Sequence, residues 1–363
     1  MVGNVRPKQI LFAAHDPGGA NIILPIIEFF AALEEFMLFL VMLGPANHRI
    51  HPERANITEL SVAGSGVDGF PNEQSTSDLE IDKIFQNYRF DLVFTATSYH
   101  SNLERLIIRE GLKRNIPVAS IIDCWSNYHS RFLYRETYAY PDVLFVCDQT
   151  MGESILQQGI PSKIIVSGNP HLEILLKNYP AIKKIDRDGK CKIRFFSDNS
   201  RLYYPDKEID EFVIVENLVR FIVERDRAVE LLVRPHPMES IEPWYKHFIF
   251  LKSKYDLHNI TLTLDEVPIE KVLEDSFIAV GLSSMVLIET AICGIPTFSY
   301  QVDMPYENYF YLPFEDYGIK RLCSHEDLKD LFSELDPNPM RFSLQEKSSL
   351  GIIHHQIMSM ISG

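Results

Sequence analysis

The segment Gly281-Leu-Ser283-Ser284-Met-Val-Leu-Ile-Glu289 reads as the end of a buried strand, a small-residue turn, and a helix that stops at Gly294. A helix opening in such a turn offers free backbone N–H groups and the positive end of its dipole, which suits a phosphate. The Ser283 and Ser284 hydroxyls add donors, although serine also serves as a plain helix cap. Glu289 lies about one and a half turns further in. There a carboxylate can reach sugar hydroxyls while a phosphate sits at the helix start, and in so apolar a helix it needs a partner. Upstream, Val233-Arg234-Pro-His236-Pro237 fixes an imidazole between two prolines. His236 as a cation offsets phosphate charge, and as a neutral ring donates one hydrogen bond. Arg234 is a second cation two residues away. Together these residue types describe a nucleotide-sugar site.

Moving a sugar also needs a base near the accepting hydroxyl. The candidates are Asp16, Asp123 and His15. His15-Asp16-Pro17-Gly18-Gly19 is a turn after the first strand, where Gly18 and Gly19 permit close backbone approach. Its spacing is not GxGxxG, so no bound dinucleotide and no other cofactor is expected. Asp123 opens the polar and aromatic loop Cys124-Trp-Ser-Asn-Tyr-His129-Ser-Arg131, which suits an acceptor. Asn199 and Arg201 follow a strand and are read as facing the ligand. Asp186 and Asp188 form a DxD, but inside a charged, aperiodic run that reads as solvated linker. No metal is therefore expected; backbone dipoles and His236 would stabilise the leaving nucleotide instead.

These residues follow strands. Gln9–Ala14, Phe36–Leu43, Asp91–Ala96, Val118–Ile122, Val143–Cys147 and Ile164–Ser167 are apolar runs, and helices are expected near 21–33, 102–114 and 151–158. After the linker at 183–190 the pattern restarts with strands at 191–196, 230–233, 260–264, 277–280 and 297–300 and helices at 207–225 and 268–273. Continuous rather than alternating apolar strands indicate parallel sheets covered on both faces. The expected fold is α/β, two doubly wound Rossmann-like domains facing a central cleft. Residues 1–182 would form the acceptor-side domain and 183–342 the donor domain. A terminal helix, 343–363, would pack back on the first. A prior of roughly 150 residues per domain agrees with two domains.

The net charge of −15 argues against nucleic acid as a partner. The five cysteines are irregularly spaced, which excludes a zinc motif and a disulfide framework and points to the cytoplasm. The apolar stretch from Ile22 to Leu43 is interrupted by Glu28, Glu34 and Glu35, so no transmembrane segment is expected. Transient membrane association and the oligomeric state stay open.

The chain resembles the GT-B superfamily of nucleotide-sugar glycosyltransferases and the related UDP-N-acetylglucosamine 2-epimerases. Asp148-Gln-Thr-Met-Gly-Glu-Ser-Ile-Leu-Gln-Gln-Gly159-Ile-Pro, followed by Gly168-Asn169-Pro170, is similar to the segment closing the first domain of these enzymes. Gly281–Glu289 with Gly294-Ile-Pro296 is similar to their donor-binding helix. Arg234-Pro-His236-Pro237 resembles the His-Pro motif of bacterial capsule transferases, which use cytidine-linked donors. The resemblance implies a metal-independent glycosyltransferase of polysaccharide biosynthesis. It implies a nucleotide-sugar donor, cytidine-linked in preference to uridine-linked, and a glycan or glycolipid acceptor. It also implies that the His15 loop faces the reaction centre. Two alternatives stand beside it: an epimerase, and a non-catalytic nucleotide-sugar binding protein. Where the epimerases carry His-Arg-Arg-Glu-Asn, this chain has Ser197-Asp-Asn-Ser-Arg-Leu-Tyr203, which lacks the His and Glu.

Overall fold

The computed structural model describes residues 6–48, 54–62, 77–98, 101–179, 191–203, 209–237, 239–275, 278–304, 312–333 and 348–362. The linker with Asp186 and Asp188 lies outside the described residues. The chain divides into two compact units, one of Met1–Ile174 with Leu344–Gly363, the other of Leu175–Ser343.

The first unit runs β1 (Lys8–Ala14), α1 (Pro17–Ala31), β2 (Phe36–Met42), β3 (Ile57–Glu59), α2 (Asp78–Asn87), β4 (Leu92–Thr95), α3 (Leu103–Lys113), β5 (Val118–Ile121), a hairpin of β6 (Leu133–Tyr134) and β7 (Thr137–Tyr138), β8 (Val143–Val146), α4 (Gln149–Gln157), β9 (Lys163–Val166) and the start of α5 (Pro170–Asn178), which crosses the division at Ile174. Its seven-stranded sheet has the order β3-β2-β1-β4-β5-β8-β9, with every pair parallel. The order reverses between β1 and β4, so the loops after these two strands flank a switch point.

The second unit runs β10 (Cys191–Phe196), α6 (Ser200–Tyr203), α7 (Glu211–Glu224), β11 (Val229–Arg234), α8 (Glu242–Lys254), β12 (Ile260–Leu264), α9 (Ile269–Asp275), β13 (Ile278–Gly281), α10 (Met285–Ile292), β14 (Thr297–Tyr300), β15 (Lys320–Leu322) and α11 (Asp330–Ser333). Its six-stranded sheet, β12-β11-β10-β13-β14-β15, is also wholly parallel, with its switch point between β10 and β13. The final helix, α12 (Ser349–Ser362), meets α1 and β4 of the first unit. Among the described residues no helix is long and apolar enough to cross a membrane.

Several helices depart from the sequence reading, α2 and α5 among those it did not anticipate. Helix α1 starts at Pro17, not near Asn21: proline suits the first helical turn, and Gly18 and Gly19 belong to that turn rather than to a loop before it. Close packing explains the glycines. A Cβ on Gly19 would lie 2.9 Å from that of Ala96, and one on Gly18 would run into Asp123 Oδ2. Helix α7 starts at Glu211 behind an Asp210 cap, four residues later than expected. Helix α8 was not anticipated. Its buried residues Trp244, Phe248 and Leu251 keep helical spacing, but exposed Tyr245, Ile249 and Phe250 blur the stripe.

One buried ion pair stiffens the second sheet. Arg194 on β10 and Asp265 after β12 meet at 2.7 Å with both side chains almost wholly buried. Arg194 also donates to the Val272 carbonyl. Removing one partner strands the other charge. Arg194→Met should therefore cost about 3–5 kcal/mol in urea unfolding, and adding Asp265→Asn should recover much of that loss.

Candidate functional site

In the first unit the strand ends gather His15, Asp16, Glu104 and Asp123. His15 Nδ1 meets Asp16 Oδ1 at 2.8 Å, and the His15 backbone N–H donates to Glu104 Oε1 at 2.8 Å. The ring is buried, and a Cβ on Gly44 would lie 2.6 Å from its Nε2. Burial acts to lower the imidazole's pKa, but the Asp16 hydrogen bond and the charges of Glu104 and Asp16 outweigh it and raise the value. Glu104 comes from the first turn of α3. Burial, reinforced by the charge of Asp16, lifts its carboxyl from 4.5 to about 7.

Asp123 follows β5. Its Oδ1 accepts from Arg131 Nη1 at 3.0 Å, and the same nitrogen donates to Thr97. Its Oδ2 lies over Gly18 at the start of α1. Burial pushes this carboxyl up, opposed by Arg131 and helped by Asp16. Arg131 is buried in turn and donates from Nε to the Ser126 carbonyl. Trp125 closes the loop by donating to Asp148, the cap of α4. The Asp123 loop is thus a clamped turn, not an open surface. Asp16 is the least buried member of the cluster.

In the second unit three neighbouring strands end side by side. Phe196 of β10 pairs with Arg234 of β11, and Phe195 pairs with Val280 of β13. The loops holding His236, Asp198 and Ser283 therefore emerge along one edge, and two strand spacings, about 10 Å, separate the outer two. Ser284 caps α10 and makes no side-chain capping bond. Ser283 is engaged: its N–H and hydroxyl donate to Asp198 Oδ2 at 2.7 and 2.9 Å. Burial lifts the Asp198 carboxyl to about 7; the Ser283 bonds oppose this, and the charges of Glu211 and Glu239 add to it. Glu289 is buried in the second turn of α10.

The His236 backbone N–H donates to Glu239 Oε2 at 2.7 Å. Arg234 turns aside, toward Asp265 at 3.6 Å and the Val267 carbonyl. Asn199 adopts a left-handed φ of 54° and donates its N–H to Ser197 Oγ. Arg201 bonds Asp210 and lies 4.3 Å from the centre of the Phe212 ring. Geometry thus gathers His236, Ser283 and Ser284 on one edge and gives Arg234 and Arg201 carboxylate partners.

Sequence reading missed Glu104, Asp198, Glu211 and Glu239 and gave Arg131 no role. Glu104 left a signal: it shares a face with Ile107, Ile108 and Gly111, all buried, so its carboxylate had to point inward. Asp198 stands two residues past the end of a buried strand, as Asp16 and Asp123 do.

No family model matches the sequence. No curated protein matches it either. Solved structures do match in shape. A UDP-GlcNAc 2-epimerase from Methanocaldococcus jannaschii aligns with a TM-score of 0.66 at 15% identity, over 97% of this chain and 99% of that one. One from Neisseria meningitidis, bound to UDP-GlcNAc, gives 0.62 at 14%, over 97% and 100%. Acinetobacter baumannii MurG gives 0.56 at 11%, over 98% and 99%. The chain shares the GT-B fold of these structures. In this chain each sheet's switch point carries a buried carboxylate group, with proton-sharing groups in the first unit and an N-capped helix in the second.

Two outcomes follow from the first-unit cluster. Gly18→Ala should displace Asp123 while removing no ionisable group; we expect a downfield shift or loss of the Asp123 carboxyl signal in carbon NMR and a cost of about 1–3 kcal/mol in stability, the range for overpacking. Glu104 binds its proton more tightly in the folded than in the unfolded chain. Its contribution is therefore full below pH 4.5 and is lost as pH rises toward about 7. Glu104→Gln keeps an acceptor for the His15 N–H but cannot ionise. Its stability relative to the parent should improve across that interval, as read from urea midpoints at both ends.

Proposed function

We propose that this chain is a metal-independent glycosyltransferase that moves a sugar from a nucleotide-activated donor, cytidine-linked in preference to uridine-linked, to a glycan or glycolipid acceptor in polysaccharide biosynthesis in the cytoplasm. The observation that carries the reading is the open Ser284 cap of α10 at the second unit's switch point, on the same edge as His236. The donor phosphate takes the Ser284 hydroxyl and the first N–H groups of α10. His236 supports it from the loop after β11, two strands away, and Glu289, deeper in α10, takes ribose hydroxyls.

The first unit handles the proton. Asp16, bonded to His15 and the least buried carboxylate of its cluster, is the base. The acceptor oxygen bonds to the anomeric carbon, the bond from that carbon to the phosphate oxygen breaks, Asp16 takes the hydroxyl proton, and the nucleotide leaves with the electron pair. His15 holds Asp16 in place, and Glu104 holds His15 through its backbone. Asp123, tied to Arg131 and pressed on Gly18, is the second candidate base.

One observation favours a rival: proteins of this fold include 2-epimerases, one of them bound to UDP-GlcNAc. Incubation with UDP-GlcNAc alone separates the two. Formation of the manno isomer or release of UDP without acceptor supports the epimerase. The transferase reading expects donor consumption to depend on added acceptor. Asp16→Asn should then lower turnover by about 10²–10⁴-fold, the usual share of a general base. His236→Ala should weaken donor binding in calorimetry by about 1.5–3 kcal/mol; unaltered affinity removes His236 from the site.

A further inference from the structure

Part of the α10 turn already holds an anion. Ser283 gives both its backbone N–H and its hydroxyl to Asp198 Oδ2. Asp198 is only 8% exposed, and its Oδ1 is buried with no hydrogen-bond partner among the described residues. It stands after the central strand of the switch point, with β11 on one side and β13 on the other. Glu211 from the start of α7 and Glu239 from the loop before α8 act on it through their charge. Glu211 and Glu239 are themselves held by backbone N–H groups, of Ser200 and His236. A carboxylate backed by two more therefore lies against the turn where a phosphate would dock, so each negative charge on an incoming ligand meets like charge.

Phosphates differ in that respect. A phosphodiester keeps one negative charge at all ordinary pH, whereas a terminal phosphate carries about 1.5 to 2 near neutrality. We propose that Asp198 makes the α10 turn discriminate by phosphate charge: it admits the singly charged phosphodiester of an intact nucleoside-monophosphate sugar and disfavours the more highly charged terminal phosphate left after transfer. This rests on the donor-site reading above. The residue acts on product release. Once the bond to the anomeric carbon has broken and its electron pair stays on phosphate oxygen, the added charge faces Asp198 and loosens the nucleotide. Ser283 holds Asp198 in position for this, while Ser284 and the α10 backbone remain for the ligand.

The test uses the full chain and two probes, cytidine 5′-monophosphate and its methyl ester, with the uridine pair alongside. At about pH 8 calorimetry should find the ester bound about tenfold more tightly than the monophosphate, and Asp198→Asn should bring that ratio near unity by tightening the monophosphate. The substituted amide oxygen still accepts the Ser283 bonds. The ester also gives a reading on the unaltered protein, because its own charge does not change with pH. Its affinity should fall several-fold between about pH 6 and pH 8 as Asp198 ionises, and should fall clearly less in Asp198→Asn, where the His236 imidazole remains. An equal ratio in both proteins, or the same change of ester affinity with pH in both, overturns the inference and leaves the donor site standing. If neither probe of either pair binds, the donor-site reading falls and takes the inference with it.

Discussion

A carboxylate buried at the end of a parallel strand must find donors, and it finds few. All strands of a parallel sheet finish on the same edge, and the helices that follow them begin there, so backbone N–H groups and helix dipoles converge on that edge. Both units place acidic side chains in this field. Asp198 is held by the Ser283 N–H and hydroxyl, Asp123 by Arg131, and Glu104 by the His15 N–H. None of the three is fully compensated, because burial wins over these bonds and raises every one of the carboxyls. Asp198 and Glu104 can therefore hold or release protons near neutral pH, an ability that the same residues would lack in water.

The two units apply this arrangement differently. In the first, the acids surround a histidine, and Arg131 is buried and committed to Asp123. That composition suits proton transfer and gives an anion little reason to enter. In the second, an open helix cap and a Pro-flanked imidazole share one strand-end edge, with Asp198 on the loop between them. That composition suits an anion of limited charge. Glycine enforces the first arrangement, since any side chain at Gly18 or Gly44 would displace Asp123 or the His15 ring.

The architecture was legible because buried parallel strands are continuous apolar runs, and runs such as Gln9–Ala14 and Cys191–Phe196 need no partner to be recognised. Helix α8 was not, because Tyr245, Ile249 and Phe250 remain exposed and hide the inward stripe of Trp244, Phe248 and Leu251. At the site, residues directly after strands were legible, hence His15, Asp16, Asp123, His236 and the two serines. Pairings were not. Which carboxylate takes the Ser283 donors depends on strand order, and nothing local to Ser283 names Asp198, eighty-five residues earlier. Arg234 and Arg201 were read as ligand cations by proximity in sequence, but their carboxylate partners Asp265 and Asp210 appear only once the strand ends and the α7 cap are in place.

The proposed transfer requires the second unit to grip a nucleotide at the start of α10. A thermal-shift comparison of CMP, CDP, UDP, GDP and ADP on the parent chain and on Ser284→Ala tests it most directly. A ligand at a hundredfold over its dissociation constant adds about 2.7 kcal/mol of stability. The account predicts a clear rise in midpoint for a pyrimidine nucleotide, cytidine above uridine, that shrinks in the variant. No shift with any of the five, or an equal shift in parent and variant, would contradict it.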